Sequence, residues 1–102
     1  MIPSVGRVVH YTLTEDDAIR INKRRKDAET SEIAKDESGV IVHFGNEAKA
    51  GDVYPLVITR VWGDQEGSAV NGQVLLDGND TFWATSRKEG EGEGFWAVPP
   101  RV

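Results

Sequence analysis

The stretch from Gly51 to Trp62, Gly-Asp-Val-Tyr-Pro-Leu-Val-Ile-Thr-Arg-Val-Trp, is the longest run of strand formers in this chain. Val53, Tyr54, Leu56, Val57, Ile58, Thr59, Val61 and Trp62 are β-branched, aromatic or aliphatic. A strand sends alternate residues to opposite faces. One face then reads Tyr54, Leu56, Ile58, Arg60, Trp62, and the other Val53, Pro55, Val57, Thr59, Val61. Neither face is polar throughout. The pattern therefore predicts a strand covered on both sides, the spine of a small β-rich domain, with Val53, Leu56, Val57, Ile58 and Val61 in its core.

The other elements arrange themselves around that spine. Val5 to Leu13 reads as a first strand. Thr14 then starts a helix: it is a good N-cap, and Glu15, Asp16 and Asp17 place negative charge in the first turn, where the helix dipole favours it. Thr14 with Asp17 is a weaker form of the capping box, which prefers Glu or Gln at that place. The apolar stripe is thin (Ala18, Ile19, Ile21, Ala28), so the helix is expected to be largely exposed, over 14–28 or longer. Lys23, Arg24, Arg25 and Lys26 fall towards its C-terminal end. Residues 29–38 read either as more helix or as loop. Gly39 to Phe44 reads as a short strand. Asn71 to Leu76 and Thr81 to Ser86 read as a hairpin around the turn signal Asp77-Gly78-Asn79-Asp80. Val74, Leu75, Leu76, Phe82 and Trp83 are expected in the core. Arg87 to Gly94, with its Glu-Gly repeat, reads as an acidic flexible loop, and Phe95 to Val98 as a last strand stopped by Pro99-Pro100.

The expected fold is mainly β with one helix, a β-rich α+β chain. Its architecture is a small SH3-like barrel or a strongly bent antiparallel sheet with a helical insertion. The 102 residues make one domain, 1–102, with 14–50 as a helix-containing elaboration. Cysteine is absent, which excludes disulfides and thiolate metal sites and fits a reducing compartment. The first residues lack the apolar core of a signal peptide, and no apolar run is long enough for a membrane helix. A formal net charge of −5 opposes general affinity for a nucleic-acid backbone.

Candidate chemistry is sparse. His10 and His43 have no second ligand at metal-site spacing, so the expectation is no metal and no cofactor. Asp77, Asn79 and Asp80 resemble half a calcium loop, but no Glu follows at its twelfth position and a hairpin needs a turn there. Ser4, Ser31, Ser38, Ser68 and Ser86 lack a nucleophile-elbow setting. No glycine run cradles phosphate. The expectation is a protein that is not an enzyme. The cluster Lys23, Arg24, Arg25, Lys26 reads as a solvated helix end pairing with Asp16 or Asp27, or else as a contact for nucleic acid or an acidic partner. Three tryptophans, two tyrosines and three phenylalanines are many for one small core. One or two are expected at a binding surface. Arg60 and Trp62 are a common hot-spot combination, and Trp83 and Trp96 complete the candidate partner-binding set.

Several segments carry a family resemblance. They are Pro-Ser-Val-Gly-Arg-Val-Val-His-Tyr at the start, Gly-Asp-Val-Tyr-Pro-Leu-Val-Ile-Thr-Arg-Val-Trp-Gly, Val-Asn-Gly-Gln-Val-Leu-Leu-Asp-Gly-Asn-Asp, Trp-Ala-Thr-Ser, and the closing Pro-Pro-Arg-Val. Together they resemble small uncharacterised proteins of tailed phages and prophages of actinobacteria, of the mycobacteriophage type, over residues 3–102. The stretch 14–47 looks like the variable part. The resemblance implies phage origin and a location in the cytoplasm of an infected bacterium or in the virion, with no activity and no site residues to carry over. Gly-Asp-Val before a Pro-aliphatic strand is also similar to the start of MazF-type toxin barrels, without the basic surface those use for RNA. The leading expectation is a non-enzymatic interaction module that binds a protein, either itself or a host component. The alternatives are a minor virion or head-decorating protein, and an accessory protein that binds nucleic acid through the basic helix end.

Overall fold

The structure, a computed structural model, describes residues 1–30 and 46–100. The strand expected over 39–44, His43 within it, and the choice between helix and loop over 31–38 lie outside the described residues. The elements, in chain order, are β1 (Val8–Thr12), α1 (Glu15–Thr30), β2 (Val53–Val61), β3 (Val70–Leu75), β4 (Thr81–Arg87) and β5 (Trp96–Ala97). The strands form one antiparallel sheet in the order β4-β3-β2-β1-β5. The fold is mainly β with one helix, and the sheet is open. After β4 the chain reaches β5 once more: Trp96 N–H donates to Lys88 O and Gly90 N–H to Trp96 O, both at 3.0 Å.

The excursion over 14–50 leaves and rejoins the sheet at one place. Leu13 N–H donates to Asp52 O and Gly51 N–H to Leu13 O, both at 2.9 Å. The ladder between β1 and β2 continues past the strand ends there. Within the excursion, α1 begins as its sequence demands. Asp17 N–H donates to Thr14 Oγ1 at 3.0 Å, and Thr14 N–H to Asp17 Oδ2 at 3.1 Å. This is a capping box with Asp in place of Glu. The shorter side chain has a further duty. It is 1% exposed, and it also accepts Tyr11 Oη at 2.5 Å and Arg87 Nη2 at 3.1 Å.

One face of the sheet holds the core. Val9 and Tyr11 from β1, Leu56 and Ile58 from β2, Val70 and Val74 from β3, Phe82 and Ala84 from β4 and Trp96 from β5 are buried there. Ala18 and Ile21 of α1 and Leu13 close over them. Ile19 faces solvent, as a thin stripe implies. The spine is covered on this face alone. Val53 and Pro55 are exposed and Val57 is half-buried, against the expectation of cover on both sides. The single helix spans only the Leu56–Ile58 side, and no second layer of described residues packs on the other. Leu75 and Trp83 likewise fall on the outward alternation and are exposed rather than core.

Candidate functional site

The outward face of the sheet is built by strand alternation and corrected by two bulges. Simple alternation would place Arg60 and Trp62 on the face of Leu56 and Ile58. The pairing of β2 with β3 shifts register between Ile58 and Arg60: Ile58 stands opposite Gly72, and Arg60 opposite Asn71. The extra residue, Thr59, reverses the facing of everything after it. Val61 therefore turns in against the core, while Arg60 and Trp62 turn out. A second irregularity lies between Val70 and Gly72 in the pairing of β3 with β4. Ser86, with φ of 55°, adopts the left-handed region there.

Asn71 lies between the two bulges and joins them. Its Oδ1 accepts Trp62 Nε1 at 3.0 Å and Ser86 N–H at 2.8 Å, while its carbonyl accepts Thr59 Oγ1 at 3.2 Å. The hydrogen bond tethers the Trp62 ring, and the guanidinium carbon of Arg60 lies 4.1 Å from the ring centroid. Asn71 was not among the residues singled out from sequence. The signal that points to it is a buried-strand position filled by a short amide, directly before a glycine.

Trp83 belongs to the same face. Val8, Val57, Gln73 and Trp83 are opposite one another in register, one row across β1, β2, β3 and β4. Trp83 is 60% exposed and Trp62 52%, and Val8, Val53 and Leu75 are exposed beside them. None of the five described strands contains Asp or Glu. The result is a surface of exposed aromatic and aliphatic side chains interspersed with His10, Gln73 and Thr81, carrying one stacked guanidinium. Among the described residues Arg60 has no carboxylate partner. Trp96 does not join this surface. It is 0% exposed and packs in the core, because β5 presents it to the inner face opposite Tyr11.

Of the basic cluster, Lys23, Arg24 and Lys26 are exposed and Arg25 is buried. Because α1 continues to Thr30, these residues stand before the last turn rather than in it. Lys23 pairs with Asp27 at 2.8 Å, as expected. Arg25, 6% exposed, forks onto Asp80 with Nε–Oδ2 and Nη2–Oδ1 both at 2.9 Å, and donates through Nη1 to Asn46 O at 2.8 Å. Arg24 reaches the same carboxylate at 3.2 Å. These bonds hold the Asp80 carboxyl below the usual carboxylate range and raise the guanidinium of Arg25. The Asp77–Asp80 segment is a turn whose carboxylates face protein donors: Asp77 accepts Asn46 Nδ2 at 2.6 Å.

Tyr11, Asp17 and Arg87 have the composition of a proton-transfer set. Burial, reinforced by the hydrogen bond to Asp17, pushes the Tyr11 phenol up, which keeps it neutral. Tyr11 has no exposed surface, and Arg87 lies over its ring at 5.5 Å. The set joins β1, the start of α1 and the end of β4. Near the return of the excursion a hollow of about 490 Å³ is lined by Asn46, Glu47, Lys49, Asp52, Val53, Tyr54 and Asp77. Among the described residues no group of three or more His, Asp or Glu is placed to hold a metal ion, and no helix is long and apolar enough to cross a membrane.

No protein-family model matches the chain, and neither curated proteins nor solved structures give a significant match.

Proposed function

We propose that this chain is a phage-encoded, non-enzymatic protein-interaction module that binds a protein through the outward face of its sheet. The observation that carries the reading is the distribution of residue types. In a chain rich in acidic residues the five described strands carry none, and Trp62, Trp83 and Arg60 stand exposed on the outward face. Exposed apolar area of this kind is costly to leave in water unless a partner covers it. Tryptophan and arginine are the residues that concentrate binding energy at interfaces. The matching surface is apolar and brings a carboxylate for Arg60.

The non-enzymatic reading is supported by where the reactive groups are spent. Tyr11 is bonded to Asp17, and Arg25 to Asp80, inside the fold. The phage setting rests on the segments quoted above. The SH3-like barrel also belongs to this proposal. Its support is the last strand returning beside the first, and the contact of Lys88–Gly90 with β5.

The test uses wild-type protein and two surface variants, Trp83→Ser and Arg60→Ala, as baits against lysate of an actinobacterial host. Both variants should melt with wild-type protein, since neither side chain is in the core. A specific partner retained by wild-type protein should be lost from both. The same partners at the same yield on all three baits would remove the sheet face from consideration.

A further inference from the structure

We infer that the partner of the outward sheet face is a second copy of this chain, which inserts the tip of its acidic loop, Glu91-Gly92-Glu93, against Arg60 and Trp62. This rests on the reading of that face as a protein-docking surface.

The loop is shaped to project. Its base is pinned on both sides: Gly90 N–H donates to Trp96 O at 3.0 Å, and Gly94 N–H donates to Thr12 O at 2.8 Å. Gly92 and Gly94 take φ of 92° and 87°, which turn the chain outward and back. A side chain at Gly92 would meet nothing within 4 Å, so the tip stands clear of its own fold. Glu91 and Glu93 are exposed, and neither forms an ion pair among the described residues. Phe95, at the foot of the loop, is exposed too and offers an apolar anchor.

The charges are complementary, and neither has an ion-pair partner among the described residues. Among the described residues, Arg60 is a cation on strands that carry no carboxylate, and the loop tip is a pair of carboxylates with no paired cation. A two-fold axis lets each copy supply both halves, so the contact is made twice and closes as a dimer. A single-stranded nucleic acid would also stack on Trp62 and Trp83. However, one guanidinium neutralises about one phosphate, and the remainder of the chain is acidic.

Sedimentation velocity over a range of concentrations, with far-UV circular dichroism as the folding check, tests the inference. Wild-type protein should dimerise. Arg60→Glu alone, and Glu91→Arg with Glu93→Arg, should each weaken dimerisation by about tenfold or more. Mixing the two folded variants should restore a one-to-one dimer. A monomer at every concentration overturns the inference. So does a dimer indifferent to both variants, or a failure of the mixture to recover. If wild-type protein is monomeric while Trp83→Ser still loses a captured partner, the docking face stands and only its occupant is wrong. A monomer whose tryptophan fluorescence is quenched by oligothymidine assigns the face to nucleic acid instead.

Discussion

Replacing Asp80 with asparagine tests the central electrostatic commitment of the fold. Asp80 accepts both prongs of Arg25 at 2.9 Å and is 13% exposed, against 7% for the Arg25 side chain. Removing one member of a buried pair costs about 3–5 kcal/mol where it was the main compensation of the other charge. Two features moderate that here. Arg25 keeps its bond to Asn46 O, and the asparagine oxygen still accepts one bond. The expected loss is about 2–4 kcal/mol. A domain of this size has roughly 5–15 kcal/mol in all, so melting should fall by about 10 °C or more. Arg25→Met removes the cation and keeps apolar bulk, while Arg24 still answers Asp80; it should cost less, about 1–2 kcal/mol. The double variant strands neither charge and should fall short of the sum of the singles by about 1 kcal/mol or more. Urea unfolding followed by circular dichroism measures all three. A cost below about 0.5 kcal/mol for Asp80→Asn, or strict additivity, refutes the assignment. The pH dependence has a definite sign. The folded Asp80 carboxyl is depressed, chiefly by the hydrogen bond from Arg25. Its contribution is therefore full above the ordinary carboxylate value of about 4 and fades as pH falls through the folded value. The gap between wild-type protein and Arg25→Met should narrow in that acid range.

Two further substitutions probe the scaffold of the docking face. Gly72→Ala would place a methyl 2.2 Å from Leu56 Cδ2 and 2.7 Å from the Val57 carbonyl oxygen, so the β2–β3 ladder must shift. About 2–3 kcal/mol should be lost by urea unfolding, and a melting temperature unchanged from wild type would contradict the tight approach of these strands. Asn71→Ala strands both Trp62 Nε1–H and Ser86 N–H, at about 1–3 kcal/mol. It should also free Trp62, seen as raised acrylamide quenching. Unaltered quenching would show that Asn71 does not hold the ring.

The legible part of this protein is local. The strand segments of β1 to β5 and the start of α1 follow from β-branched runs, turn glycines and the Thr14 cap, because each of these acts over a few residues. The fate of the basic cluster was only half legible. Lys23 with Asp27 is one helical turn, but Arg25 with Asp80 spans 55 positions, and nothing in either neighbourhood announces it. Trp83 and Trp96 looked alike in sequence. Register separates them: one stands opposite Gln73 on the outward row and the other opposite Tyr11 on the inner one.

The stretch Gly51 to Trp62 shows the division most clearly. By itself its sequence determined that it would be a strand and that Leu56 and Ile58 would share a face. Two things waited for the tertiary structure. The first is that one helix covers one side of an open sheet, so an apolar strand is left half uncovered. The second is the bulge at Thr59, which exists because β3 offers one residue where β2 offers two. That single extra residue turns Arg60 and Trp62 from the core to the solvent. Alternation is a property of a strand, but the point at which it is reset belongs to the pair.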